Sequence, residues 1–114
     1  MSNARESRRD VLKTRASVFA ALGDETRLAV LAKLCNGLPQ SISRLAAGTN
    51  LSRQAVTKHL RVLANVGVVR NTRVGRESLF ELELQPIEEV RDYLDHVSKQ
   101  WDDALARLKS RVEE

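Results

Sequence analysis

Residues 51–69 read LSRQAVTKHLRVLANVGVV, a mixture of charged and aliphatic side chains that sorts itself once it is wound onto a helix. At about 100° per residue, Ala55, Val56, Leu60, Val62, Leu63 and Val66 gather on one side, and Arg53, Gln54, Thr57, Lys58 and Arg61 on the other. Ser52 marks the start, because its hydroxyl can accept from an unpaired backbone N–H of the first turn. Gly67 marks the stop, because it tolerates the left-handed turn that a helix end needs. The polar face holds cations and amides but no carboxylate, whereas an ordinary solvated helix face mixes Glu with Lys. Such a face looks chosen for an anionic partner.

The rest of the chain narrows what that partner is. A length of 114 residues, with 42% hydrophobic and 30% charged, suits one small globular domain with a single core. The net charge of +4 is unevenly spread: residues 1–84 carry 14 Lys/Arg against 7 Asp/Glu, and residues 85–114 carry 5 against 8. Between Gln40 and Arg76 lie Arg44, Arg53, Lys58, Arg61, Arg70, Arg73 and Arg76, with no acid among them. A segregated positive strip is the electrostatic footprint of a polyphosphate, because each neutralised phosphate releases counterions. No apolar run has the length of a membrane span and no secretory leader is visible, so the expected location is cytoplasmic, with no membrane partner. The single cysteine excludes an internal disulfide. The opening MSNA is set aside as a candidate expression remnant.

Working outward, residues 8–22 form a helical pattern with Leu12, Ala16, Phe19 and Leu22 near one another, ended by Gly23. Asp24 caps a second helix over 24–36, in which spacing predicts burial of Leu28, Leu31, Leu34 and Cys35. Ser41 or Ser43 starts a short helix over 41–47, and the turn GTN leads into the helix over 52–66. Two helices joined by a short turn, the second with a basic face, match a helix-turn-helix. After Gly67 the period becomes two. VVRNTR and SLFELEL flank VGRE, with Phe80, Leu82 and Leu84 on one side and Glu81 and Glu83 on the other. That predicts a hairpin within 68–84 with Gly75 at its tip, a wing following the recognition helix.

Pro86 suits the first turn of a final helix over 86–112, where its missing N–H costs nothing. Ile87, Val90, Leu94, Val97, Trp101, Ala104, Leu108 and Val112 step by three and four, the spacing of a coiled-coil seam. The expected fold is therefore mainly α with a small β-hairpin, a winged helix-turn-helix in one domain, dimerising through its N- and C-terminal helices. Phe19, Ile87, Val90, Leu94, Val97, Trp101 and Leu108 are the expected dimer-interface residues.

ALGDETRLAVLAKLCNG, SISRLAAGTNLSRQAVTKHLRVLANVGVVRNTRVGRESLFEL and WDDALARLKSRVEE together resemble the ArsR/SmtB-type (arsenic-repressor) family of winged-helix transcriptional regulators, over roughly residues 15–112. The resemblance implies a homodimer, a dyad-symmetric operator and repression relieved by a small inducer. It also implies a base-reading helix at Ser52–Val66 and a wing at Val68–Leu84. Two family metal sites have no counterpart. The stretch SISRLAAG stands where thiophilic-metal sensors carry a Cys-x-Cys pair, and Arg107 stands where zinc sensors carry a second His, eleven residues after His96.

On this reading Arg53, Gln54, Thr57 and Lys58 face base edges, where an Arg can bridge a guanine and a Gln an adenine. Arg44, Ser52 and Arg61 are placed for phosphates, and Arg73 and Arg76 for the backbone or minor groove. The expected partner is a double-stranded, dyad-symmetric operator; the competing use of the basic face is an acidic protein, bound by a dimeric interaction module. Cys35 reads as a small core residue and His59 as a structural one. His96 with Asp92 and Glu89 is too sparse a set for zinc, so no metal or cofactor is expected. Tyr93 and Trp101 line either paired helices or an organic inducer's pocket. No nucleophile, base and orienting group converge, and no phosphate-binding glycine loop occurs, so no enzyme is expected.

Overall fold

The structure is a computed structural model that describes the backbone of residues 4–113 and the side chains of residues 8–113. Apart from Ala4, the MSNA opening lies outside the described residues. In chain order the elements are α1 (Ala4–Leu22), α2 (Glu25–Leu34), β1 (Gln40–Ser41), α3 (Ile42–Ala46), α4 (Arg53–Asn65), β2 (Val69–Val74), β3 (Glu77–Leu82) and α5 (Leu84–Glu113). Residues through Leu84 form one compact body, and the remainder of α5 forms a second unit. Among the described residues no helix is long and apolar enough to cross a membrane.

Three helices of the body start on side-chain caps that satisfy a first-turn N–H. Asp24 accepts from the Arg27 N–H at 2.9 Å, Ser41 from Arg44 at 3.2 Å, and Ser52 from Ala55 at 3.1 Å. Helix α4 ends as its sequence requires. Gly67 takes φ +81°, its N–H donates to the Ala64 carbonyl, and the Val68 N–H donates to the Leu63 carbonyl. That paired closure releases the chain straight into β2.

The core sits where α1, α2 and α3 pack around α4. Leu34, Leu45, Val56, Leu60, Leu63 and Val68 are fully buried, joined by Val18, Ala21, Val30, Leu31, Val69 and Phe80. On α2 the buried face is Val30, Leu31 and Leu34, which corrects the expectation from spacing. Leu28 is 52% exposed, and Cys35 is exposed with its thiol donating to the Leu31 carbonyl. Apolar residues lie on both sides of this helix, so periodicity alone did not choose between them. On α1, likewise, Val18 and Ala21 are buried while Leu12 and Ala16 are exposed.

The expected hairpin is the larger part of a three-stranded antiparallel sheet in the order β1-β3-β2. Its extra strand is two residues long: Gln40 pairs with Phe80 and Ser41 with Leu79. Gly75 and Arg76 form the two-residue turn between the paired Val74 and Glu77. Gly75 has φ +62°, which suits a hairpin turn with glycine in its first central position. Leu84, expected to continue β3 inward, instead begins α5 and is 66% exposed, so Pro86 is the third residue of that helix. The position is still harmless, since the first four N–H groups of a helix have no partner within it.

Candidate nucleic-acid interface

The candidate surface is the outer face of α4, held in place by its inner face. Val56, Leu60 and Leu63 are anchored in the core, while Arg53, Gln54, Lys58 and Arg61 are exposed and Thr57 is half-buried. Together with Ile42 at the start of α3, these five polar residues line a groove of about 500 Å³. Ile42 had no place in the site expected from sequence. Its only sequence signal is being the first helical residue after the Ser41 cap.

Arg44 and Ser52 are exposed near the two helix starts. The Ser52 hydroxyl already accepts from Ala55, and its helix end still presents unpaired N–H groups suited to a phosphate oxygen. Thr57 donates its hydroxyl proton to the Arg53 carbonyl at 2.8 Å. Arg73 and Arg76 are both exposed beside the wing tip.

Arg70 departs from the strip to which its position in sequence assigned it. It faces Glu81 across the sheet, hydrogen-bonds that carboxylate through Nε and Nη2, and pairs with Glu83 at 3.1 Å. The hydrogen bond to Glu81, supported by the charges of both acids, raises the guanidinium pKa above its ordinary value. Its charge is thus answered within the sheet, by acids more than ten residues away in sequence. The cations of the proposed surface are Arg44, Arg53, Lys58, Arg61, Arg73 and Arg76.

His59 lies on the opposite side of α4 from this surface. Its Nδ1 is 3.5 Å from Nη1 of Arg27 and 3.9 Å from the Asp24 carboxylate. Arg27 in turn donates to the Ala21 and Ala20 carbonyls at the end of α1. This cluster ties α1, α2 and α4 together. Asp24, accepting from the Arg27 N–H and near the charges of Arg27 and His59, has a pKa below the ordinary carboxylate value.

On α5 the expected seam divides by exposure. Leu94, Trp101 and Leu108 are exposed, and so are Leu105 and Val112. Val90 is buried, and Ile87 and Val97, like Phe19 of α1, are half-buried. Leu105 and Val112 lie beside the expected residues in being exposed, and the exposed stripe 94, 101, 105, 108 and 112 steps by seven, four, three and four. Tyr93 is half-buried; Glu89, Asp92 and His96 are exposed, and no group of three His, Cys, Asp or Glu among the described residues is placed to hold a metal.

Comparison with known proteins agrees with this geometry. Residues 22–72 match the family described as helix-turn-helix domain. The HTH-type transcriptional regulator NmtR of Mycobacterium tuberculosis is 34% identical over 90 residues, covering 79% of this chain and 66% of that protein. An ArsR-like transcriptional regulator from Rhodococcus sp. RHA1 superimposes with a TM-score of 0.75 at 38% identity, covering 89% of this chain and 94% of the other. The homodimeric winged helix-turn-helix DNA-binding domain of Mb0332 from Mycobacterium bovis shares the fold, with a TM-score of 0.65 at 23% identity and 91% of each chain covered.

Proposed function

The chain belongs to the ArsR family of winged helix-turn-helix transcriptional regulators, and on that premise we propose that it is a homodimeric repressor acting in the cytoplasm on a dyad-symmetric operator. The observation that carries this reading is the division of α4. Its inner face is locked by three fully buried residues, and its outer face presents Arg53, Gln54, Lys58 and Arg61 with no acid in the first turn.

A helix held this rigidly delivers its side chains to a major groove at little entropic cost. Arg53 and Gln54, in its first turn, are assigned to base edges, each contact supplying about 1–3 kcal/mol of discrimination. Arg44, Arg61 and the Ser52 end of the helix are assigned to phosphates, and Arg73 and Arg76 to the flanking backbone or minor groove. Two copies place two such helices in successive major grooves, roughly 34 Å apart. Because both half-sites must be met together, a ligand that favours another packing of the paired helices releases the operator. An organic inducer acting on the α5 pairing would use that route.

The test is selection of bound duplexes from a random-sequence pool by the purified chain at moderate salt. Enrichment of an inverted repeat with half-sites one helical turn apart is the expected result. Retention with no enriched sequence would reject an operator, and no retention at all would favour an acidic protein as partner.

A further inference from the structure

The groove between α3 and α4 is not uniformly polar. Arg53, Gln54, Lys58 and Arg61 line it, but so do the aliphatic side chain of Ile42 and Thr57, one turn beyond Arg53 on α4. Thr57 is internally committed: its Oγ1 donates to the Arg53 carbonyl at 2.8 Å. A β-branched residue in a helix has few allowed rotamers, and this bond selects among them with the hydroxyl against the backbone. The proton is no longer available to a base, and the methyl Cγ2 is the apolar end that remains. Ile42 is half-buried, so part of its side chain is open to the groove.

We infer that the Thr57 methyl and Ile42 form an apolar seat for the C5-methyl of one thymine in each operator half-site. In the major groove thymine alone offers a methyl group among the four bases, and apolar contact is how side chains recognise it. The surrounding cations and Gln54 fix the neighbouring phosphates and bases, so the seat adds discrimination at a position that hydrogen bonds do not read. Thr57 thus acts as a specificity residue through its carbon atom. This inference rests on the DNA-binding reading above, and narrows it from a helix face to one base.

The test uses the operator duplex obtained by selection, with each half-site thymine replaced in turn by deoxyuridine, which differs only in lacking the methyl. One position per half-site should weaken binding about fourfold, the effect of one buried carbon. Thr57→Ser keeps a hydroxyl able to bond Arg53 and removes only Cγ2, so the same uracil replacement should then cost markedly less. Thr57→Val keeps a methyl in place, and its uracil penalty should match the parent's. If no thymine is sensitive in a duplex that is otherwise bound selectively, or if the penalty is identical in Thr57→Ser, the seat does not exist while the operator reading stands. If no sequence is selected at all, both fall together.

Discussion

Helices α4 and α5 are both amphipathic, but they are completed in different ways. The apolar face of α4 is finished inside its own chain, with Val56, Leu60 and Leu63 wholly covered. Much of the apolar surface of α5 is left open: Leu94, Trp101, Leu105, Leu108 and Val112 are each at least half exposed. The charges differ in the same sense. Residues 53–65 contain no acid, whereas residues 85–114 carry 8 Asp/Glu against 5 Lys/Arg. An apolar stripe of five large residues is costly to leave in water, and a second copy of the same helix is a partner with a matching stripe. A face of cations without acids is instead completed by a polyanion. On the proposed reading, one helix is finished by nucleic acid and the other by its own twin.

The sharpest way to break that contrast is to charge the open stripe. Trp101→Glu should leave the body folded, because Trp101 is 67% exposed, but should shift the chain to monomer in sedimentation velocity. Operator affinity should then fall by about 10²–10⁴-fold, the gain normally made by linking two binding modules. A variant that remains dimeric would mean the stripe is not what joins the copies.

Next in size is the closed stripe. Leu60 is fully buried, so Leu60→Ala removes a core side chain and should cost about 2–5 kcal/mol in denaturant unfolding. The two lesions should differ in their concentration dependence. Loss at Leu60 acts on packing within one chain, so raising protein concentration should restore little of it; loss at Trp101 should be partly recovered by mass action. Equal recovery in both would blur the distinction between the helices.

These contrasts were unequally visible in the order of residues. The course of α4 was plain because cap, stop and two faces agree along one short stretch. The open face of α5 is only half visible: three-and-four spacing identifies apolar positions without saying which of them are exposed, and Leu105 is exposed where Val90 is buried. Leu28 and Cys35 on α2 show the same limit. Arg70 shows another, since its neutralisation by Glu81 and Glu83 depends on strand register and cannot be counted from local charge. β1 is not legible in the sequence because two residues carry no periodicity, and their pairing is made with a strand nearly forty residues away. Ile42 lines the groove because α3 packs against α4, which no single helix encodes.

Within the basic region, α4 and the wing should themselves separate. Arg76 is exposed at the wing turn, where a phosphate contact carries no base information. Arg76→Ala should weaken selected and scrambled duplexes alike, and should reduce the slope of log affinity against log salt by about 0.9, as expected for one phosphate. Titrations at several salt concentrations measure both quantities. Selective loss on the operator alone would move Arg76 from the backbone to a base edge.

The smallest expected effect concerns one of the few acids of the basic body. Asp24 caps α2, and the hydrogen bond from the Arg27 N–H, aided by the charges of Arg27 and His59, lowers its pKa from the ordinary 3.8. A carboxyl whose value is lowered by folding stabilises the fold fully above its ordinary pKa. That contribution is lost as pH falls through the ordinary value towards the lowered one. Asp24→Asn keeps an oxygen able to accept from Arg27 but cannot ionise. Between about pH 5 and about pH 3 the variant should therefore lose less stability than the parent, read as the shift of the urea midpoint over that interval. An equal shift would mean that the cap acts through its hydrogen bond alone. The charge of Asp24 would then play no part in the cluster of Asp24, Arg27 and His59 that ties α2 to α4.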